Sequence, residues 1–194
     1  MTESFERWAL ADITALFDGV FADTYNTRLI KGGDEPLYLP ATTETPYHRV
    51  IFARGFFASA LHEISHWCIA GARRREQEDY GYWYLPDGRD SQQQAAFESA
   101  EIAPQALEYL FTRACERAFN VSVDNLGGEA EVDRAAFEAK VIERAERFER
   151  EGLPVRARAF RLALSRFYPQ KAPLERAVAA GIDVLGYSSG SLRR

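Results

Sequence analysis

The chain contains 194 residues, of which 46% are hydrophobic, and its formal net charge is −5. This apolar content is enough to bury a core, and the length is typical of one domain. No apolar run reaches membrane-spanning length, and the N-terminus, MTESFERW, lacks the basic and then apolar form of a signal peptide. There is also no CxxC pair, Walker loop or dinucleotide-binding glycine motif. We therefore expect one cytoplasmic domain over residues 1–194, with no membrane partner.

Charge is distributed unevenly along the chain. Residues 1–128 contain 11 Lys and Arg against 19 Asp and Glu, a net charge of −8, whereas residues 129–194 have a net charge of +3. An acidic region repels nucleic acid and attracts cationic groups, so we expect no direct nucleic acid partner and a cationic group on the substrate. The one local basic run, Arg73–Arg75, is expected to be solvated; stabilisation of a helix end or contact with an acidic partner are the alternatives.

The first part of the chain predicts a helix followed by short strands. Apolar residues recur at helical spacing from Ser4 to Phe21, which favours an amphipathic helix. Leu37–Leu39 and Val50–Phe52 are short apolar runs typical of strands. The fold class that follows is α+β, a compact domain with a short-stranded sheet and helices.

A second helix is predicted within the sequence FFASALHEISHWCIAG. Phe57, Leu61, Ile64 and Cys68 recur at helical spacing, so one side of this helix should be buried. Gly71 stands where a glycine cap commonly ends a helix.

The same helix contains the motif His62-Glu63-Ile64-Ser65-His66. Residues four apart lie on one face of a helix, so both imidazoles can reach a single metal ion. Glu63 lies between them and is the candidate catalytic residue, since the zinc-hydrolase form of this motif uses its glutamate to orient a metal-bound water or to act as a base. The alternative is a supporting or solvated carboxylate.

Two histidines seldom suffice to hold a metal, so a third ligand should come from elsewhere. Residues 91–101 are expected to be helical, and Glu98 and Glu101 lie three apart on one face of that helix. Pro104 is expected to break or restart the helix, which would leave Glu101 near a helix end. Glu101 is the favoured ligand, Glu98 its rival and His48 a weaker candidate. Surface charges are the alternative for both acids.

The remaining elements follow from periodicity and turn residues. Cys68 and Cys115 occupy apolar helix positions, which predicts buried thiols rather than a disulfide. The predicted elements are an extended aromatic segment at residues 80–85 ending in the turn 86–88, a core helix at 107–114, a strand at 119–123, helices at 133–151 and 155–168, and a loose C-terminal tail ending in GYSSGSLRR.

Five strings, in order and without large gaps between about Phe21 and Gly128, resemble the bacterial elongation factor P hydroxylase family. They are FADTYNTRLIKGGDEPLYLP, FARGFFASALHEISHWCIAG, YGYWYLPDGRD, FESAEIAPQALEYLF and FNVSVDNLGG. The resemblance implies hydroxylation of the elongation factor P lysine that already bears a β-lysyl group. It also implies a fold similar to that of a metal-dependent endoribonuclease. The ligands it implies for iron, Fe(II), are His62, His66 and a carboxylate in FESAE.

The residues and the resemblance favour different metals. Two histidines and a carboxylate leave positions open for dioxygen on iron, whereas two histidines four apart on one helix are the zinc-hydrolase arrangement. A zinc-dependent peptidase or endoribonuclease using Glu63 is therefore the alternative function, and a binding module with a structural metal is the third. The polar residues of the resembling strings that are candidates for the pocket are Asn26, Arg28, Gln105, Asp124 and Asn125.

Overall fold

The computed structural model describes residues 7–82, 85, 87–123, 128 and 132–187, and within them it contains six helices and one three-stranded sheet. The elements are α1 (Leu10–Tyr25), β1 (Thr27–Lys31), β2 (Leu37–Leu39), β3 (His48–Phe52), α2 (Phe57–Ile69), α3 (Ser91–Ala114), α4 (Arg134–Glu151), α5 (Val155–Phe167) and α6 (Leu174–Val184). This architecture confirms the predicted α+β class. In the described ranges, no helix is both long and apolar enough to cross a membrane.

The first helix begins later than the spacing of its apolar residues predicts. Residues 1–6 lie outside the described part. Helix α1 begins only at Leu10, because the backbone of Ala9 is extended. The side chain of Trp8 donates its indole N–H to the carbonyl of Cys115 at 2.9 Å. At the other end the helix continues past Phe21 to Tyr25. It ends at Asn26, which adopts a left-handed conformation that asparagine tolerates.

The sheet has the order β1-β3-β2, with β1 parallel and β2 antiparallel to the central strand. The two predicted strands are confirmed as β2 and as part of β3. β1 was not among the predicted elements, because its sequence TRLIK is short and half polar. Its extended conformation depends on pairing with β3, and Leu29 of β1 lies opposite Val50 of β3 in that pairing. The chain then turns through Arg54 and Gly55, both at positive φ, directly into α2.

The predicted buried face of α2 is confirmed. Leu61 and Ile64 are fully buried, and Cys68 is buried as a free thiol, as is Cys115. Trp67 packs edge-on against Phe17 and Phe21 of α1, with ring centroids 5.3 and 4.7 Å away. The aromatic cluster therefore fixes the rotation of α2 and turns its histidine face away from the core.

The end of α2 differs from the prediction, since Gly71 does not cap it. The helix ends at Ala70, whose carbonyl accepts hydrogen bonds from Arg75 at 2.7 Å and from the buried Arg156 at 2.5 Å. Cationic donors at a helix C-terminus satisfy its free carbonyls and its dipole. The run Arg73–Arg75 thus stabilises the helix end through Arg75, rather than being wholly solvated.

Pro104 does not break α3, contrary to the prediction. The helix runs unbroken from Ser91 to Ala114, beginning with a capping box formed by Asp90 and Gln93. A proline inside a helix costs about 3 kcal/mol, but burial of the helix beyond it, including Leu107 and Leu110, offsets that cost. Glu101 therefore lies in the middle of a helix and not near its end.

Two predicted segments differ from the described structure. Tyr80 and Gly81, at the start of the predicted extended segment 80–85, belong to a tight turn at residues 78–81, whereas Tyr82 is extended. Residues 83, 84 and 86 of that segment and its turn lie outside the described part. Residues 119–123, predicted as a strand, belong to no helix or strand in the described part of the chain. Their backbone groups bond side chains of helices, since Gln105 bridges both the N–H and the carbonyl of Ser122, at 2.9 and 2.6 Å, and Arg134 donates to Val121.

The C-terminal helices cover the aromatic core. α4 is confirmed with Asp133 as its cap, and α5 is confirmed but ends one residue before the predicted Tyr168. α6 lies outside the predicted elements. It packs closely on α1 and α5 at Gly181, where an added Cβ would lie 2.9 Å from Val20. Of the tail predicted to be loose, residues 188–194 lie outside the described part.

Candidate metal centre

Helices α2 and α3 bring two histidines and one glutamate together. His62 and His66 lie one turn apart on α2, and Glu101 faces them from α3. One potential ligand atom from each of the three side chains lies within 4.8 Å of the others. These are the three residues that the sequence predicts as ligands.

The distances within the cluster suit a common cation. The Nε2 atoms of His62 and His66 are 3.1 Å apart, and they lie 3.4 and 3.1 Å from the carboxylate oxygens of Glu101. Ligand atoms bound at about 2.1 Å to one ion, at angles of about 90–110°, are separated by about 3.0–3.4 Å. The three side chains are therefore spaced as ligands of one metal ion would be.

Second partners orient two of these side chains. The Nδ1 atom of His62 lies 2.8 Å from the carboxylate of Glu108, so a neutral His62 donates its proton there and directs the lone pair of Nε2 towards the cluster. Gln105 donates to Glu101 at 3.2 Å, while its other contacts to Ser122 hold it in place. Carboxylates behind metal-bound histidines fix the ring and increase its basicity, which is the role this arrangement gives Glu108.

The electrostatics of the cluster favour a positive centre. Burial alone would lower the pKa of His62, but the carboxylates of Glu101 and Glu108 outweigh it and raise the pKa to about 10. Burial alone would raise the pKa of Glu101, but His66 and His62 outweigh it and lower the pKa to about 2. Both shifts reflect the attraction between the carboxylates and the positively charged histidines, which favours the charged form of each group.

The cluster opens into a cavity of about 720 Å³ between α2, α3 and the turn at residues 78–81. Glu63 also lines this cavity, beside both histidines, as do Asp79 and Tyr80 from the turn. Burial raises the pKa of the Glu63 carboxyl, the histidines partly offset this, and Glu101 and Asp79 raise it further. Burial likewise raises the pKa of Tyr80 well above its usual value, so its phenol is neutral.

Other sequence candidates lie away from the cluster. Glu98 accepts a hydrogen bond from Gln94 at 2.9 Å, one turn further towards the start of α3. His48, the first residue of β3, accepts a hydrogen bond from the backbone N–H of Ala41 and does not line the cavity. Asn26 bonds the carbonyl of Pro46 at 2.8 Å.

Of the remaining polar candidates, one lies beside the sheet and one beside the cluster. Arg28 pairs with Asp18 at 3.8 Å, next to the sheet, and stacks on Tyr47. Gln105 supports Glu101, whereas Asp124 and Asn125 lie outside the described residues. One supporting residue, Glu108, is absent from the candidates drawn from the sequence. The signal that could have revealed it is the polar stripe Glu101, Gln105 and Glu108, spaced four and three apart in an otherwise apolar stretch of helix.

Comparison with known proteins agrees with the resemblance in the sequence. The chain matches the elongation factor P hydroxylase family over residues 16–178, a range that includes the whole histidine and glutamate cluster. It is 50% identical over 159 residues to a Haemophilus influenzae protein named elongation factor P lysine hydroxylase, and this match covers 82% of the chain and 89% of that protein. A match of this identity and coverage establishes common family membership. The chain therefore belongs to the elongation factor P hydroxylase family.

Proposed function

We propose that this protein hydroxylates the β-lysylated lysine side chain of elongation factor P at the cluster formed by His62, His66 and Glu101. The observation that supports this most strongly is the convergence of these three ligand atoms within 4.8 Å in a chain of the hydroxylase family. The name of the Haemophilus influenzae relative supports elongation factor P and a lysine side chain as the substrate.

The donor set fits a ferrous ion. A ferrous ion held by two imidazoles and one carboxylate supplies activation of dioxygen for insertion of one oxygen atom into a C–H bond, with the second atom reduced to water by an external two-electron donor. His62 and His66 would hold the metal, with Glu108 keeping the His62 ring in position. Gln105 keeps the Glu101 carboxylate turned towards the histidines.

We propose that the cavity binds the lysine side chain of the substrate. Its walls bring the lysine side chain to the cluster and exclude bulk water around it. Glu63 is the proposed catalytic carboxylate, since it lines this cavity beside both histidines and is positioned to contact the bound side chain. The zinc-hydrolase alternative would use the same ligands with Glu63 activating water, but family membership favours the hydroxylase.

Further features of the proposal concern the whole chain. We propose that residues 1–194 form a single hydroxylase-like domain, similar in fold to a metal-dependent endoribonuclease. Support comes from the metal-binding helix α2 beside a small mixed sheet and from a family match that covers most of the chain. We also propose that the protein acts in the cytoplasm, where elongation factor P serves translation.

Mass spectrometry of elongation factor P tests the proposed reaction. Iron-loaded protein, given dioxygen and a reductant, should add the mass of one oxygen atom to the β-lysylated factor. Little or none should be added to the unmodified factor or to free lysine, because these lack the extended, doubly charged side chain. No mass change on any form of the factor would contradict the proposed function.

Glu108→Gln should weaken metal binding about 10- to 100-fold, because the neutral amide no longer stabilises and orients His62 as the carboxylate does. Equilibrium competition with a metal chelator measures this affinity. The matched control is Glu98→Gln, an acid on the same helix that does not line the cavity and whose loss should leave metal affinity unchanged. Equal affinity in the wild type and Glu108→Gln would show that Glu108 does not support the ligand.

A further inference from the structure

The two histidines of the cluster differ in what holds their rings. The Nδ1 atom of His62 lies 2.8 Å from the carboxylate of Glu108. In the described part of the chain, the ring of His66 has partners at Nε2 alone, namely His62 and Glu101. Metal-binding histidines almost always donate their other ring N–H to a neighbouring group, which sets the orientation of the ring. The position of the His66 ring therefore depends chiefly on the backbone of α2.

Arg156, in the first turn of α5, contacts the last turn of α2, which follows His66. Its Nη2 group donates to the carbonyls of Ala70 and Cys68 at 2.5 and 3.3 Å. Its guanidinium carbon lies 4.5 Å from the centre of the Trp67 ring. Ala70 in turn donates its N–H to the carbonyl of His66 at 3.0 Å. Two hydrogen bonds in series thus connect Arg156 to the backbone of His66.

The guanidinium of Arg156 is a buried charge without an acidic partner. The residue is 7% exposed, and it forms no ion pair within the described ranges. Its Nη1 group has no hydrogen-bond partner there, so its hydrogen bonds go to the end of α2. The free carbonyls and the dipole at that end compensate the charge. An apolar side chain would fill the same space without the cost of burying a cation, so filling the core does not account for an arginine here.

Arg156 restrains a different motion of α2 from the aromatic core. The packing of Trp67 against Phe17 and Phe21 fixes the rotation of the helix about its axis. Helix carbonyls point along the axis towards the C-terminus, so hydrogen bonds to the last of them hold the helix along that direction. Arg75 bonds the same carbonyl at 2.7 Å, but it follows α2 directly in sequence and moves with it. Arg156 instead connects the helix end to a separate helix, α5.

We propose that Arg156 is a positioning residue for the metal centre, which holds the end of α2 so that His66 lies at bonding distance from the ion shared with His62 and Glu101. The inference rests on the proposed function only in requiring a metal ion at this cluster, and it does not depend on the substrate. Bonds in a metal site tolerate deviations of about 0.2 Å, so a small shift of α2 along its axis is enough to weaken the bond to His66.

The affinity for Co²⁺ and the visible absorption of the bound ion test this role, because the absorption reports the number and geometry of the ligands. Arg156→Met fills a similar volume without the charge or the donors. We expect it to weaken Co²⁺ binding about tenfold, as loss of a group that supports a metal ligand does, and to change the absorption. Arg156→Lys keeps the charge and one donor, and it should weaken binding only about threefold.

Double variants distinguish positioning of His66 from a general structural role. Combined with Glu108→Gln, which acts through His62, Arg156→Met should still weaken Co²⁺ binding about tenfold, because the two changes affect different ligands. In His66→Ala the ring that Arg156 positions is absent, so Arg156→Met should have almost no further effect, as measured by titration with excess Co²⁺. A structural role would give the same loss in every background.

Two other variants of α5 serve as controls. Arg161→Met is the matched one, because Arg161 lies on the same helix and pairs with Glu149 of α4. Phe160→Leu reduces packing against Phe17 and Phe111 and shows what lower stability alone does. Both should keep the Co²⁺ affinity and absorption of the wild type. Circular dichroism and thermal unfolding measure the fold and stability of every variant.

Full Co²⁺ affinity with an unchanged absorption in Arg156→Met would overturn the positioning role, as would an equal loss in the His66→Ala background. If His66→Ala binds too little Co²⁺ to titrate, an unchanged absorption in Arg156→Met overturns it. If Arg156→Met does not fold, full affinity in Arg156→Lys does so. Wild type that binds Co²⁺ but, loaded with iron, adds no oxygen to any form of elongation factor P would contradict the proposed function and leave this inference standing.

Discussion

His62→Ala and His66→Ala should each lose stoichiometric metal and more than about a hundredfold of the hydroxylase activity, a larger effect than the 10- to 100-fold typical of supporting residues. Each substitution removes one of three ligand side chains whose nearest nitrogen and oxygen atoms lie 3.1–3.4 Å apart, and the remaining two cannot hold a divalent ion tightly. Glu101→Ala should behave in the same way. Elemental analysis of the purified variants measures the metal, and mass spectrometry of elongation factor P measures the activity.

Two matched controls distinguish loss of the ligand from general damage. His48→Ala removes a histidine from the sheet, and Glu98→Ala removes an acid from α3; neither side chain lines the cavity. Both should retain metal and activity, and circular dichroism should show a folded protein in every case. Full metal content in His62→Ala or His66→Ala would refute the proposed site. Metal loss in Glu98→Ala with none in Glu101→Ala would move the third ligand by three residues.

Ferrous protein reconstituted without oxygen should form no product until oxygen is admitted, whereas zinc-loaded protein should form none under either condition. Inserting an oxygen atom into a C–H bond oxidises that carbon, and zinc has no accessible redox change with which to assist. The measurement is oxygen consumption alongside mass spectrometry of β-lysylated elongation factor P. The His66→Ala variant treated with the same iron controls for reaction of free iron in solution.

The activity of the zinc-loaded protein tests the alternative function, a zinc-dependent hydrolase. Hydrolysis of a peptide or RNA by zinc-loaded protein under nitrogen, abolished in Glu63→Gln, would establish a water-activating enzyme in place of the hydroxylase. Oxygen consumption without product on the β-lysylated factor would instead indicate that the metal is redox-active but that elongation factor P is not its substrate.

The sequence determined features that depend on local periodicity. The face of α2 that is buried, the position of both histidines on its other side and the burial of Cys68 and Cys115 all follow from residues three or four apart on one helix. The strings around the motif also identified the family, which the match over residues 16–178 confirms.

The tertiary structure decided what lies opposite those histidines. Spacing alone could not choose between Glu98 and Glu101, since both lie on one stripe of α3; packing against α2 brings Glu101 to the histidines and leaves Glu98 one turn away. Local rules also predicted a break at Pro104, yet burial of the helix beyond it keeps α3 continuous and places Glu108 behind His62. The physical reason is that helical periodicity is fixed by neighbours in sequence, whereas the depth and rotation at which two helices pack depend on side chains far apart in the chain.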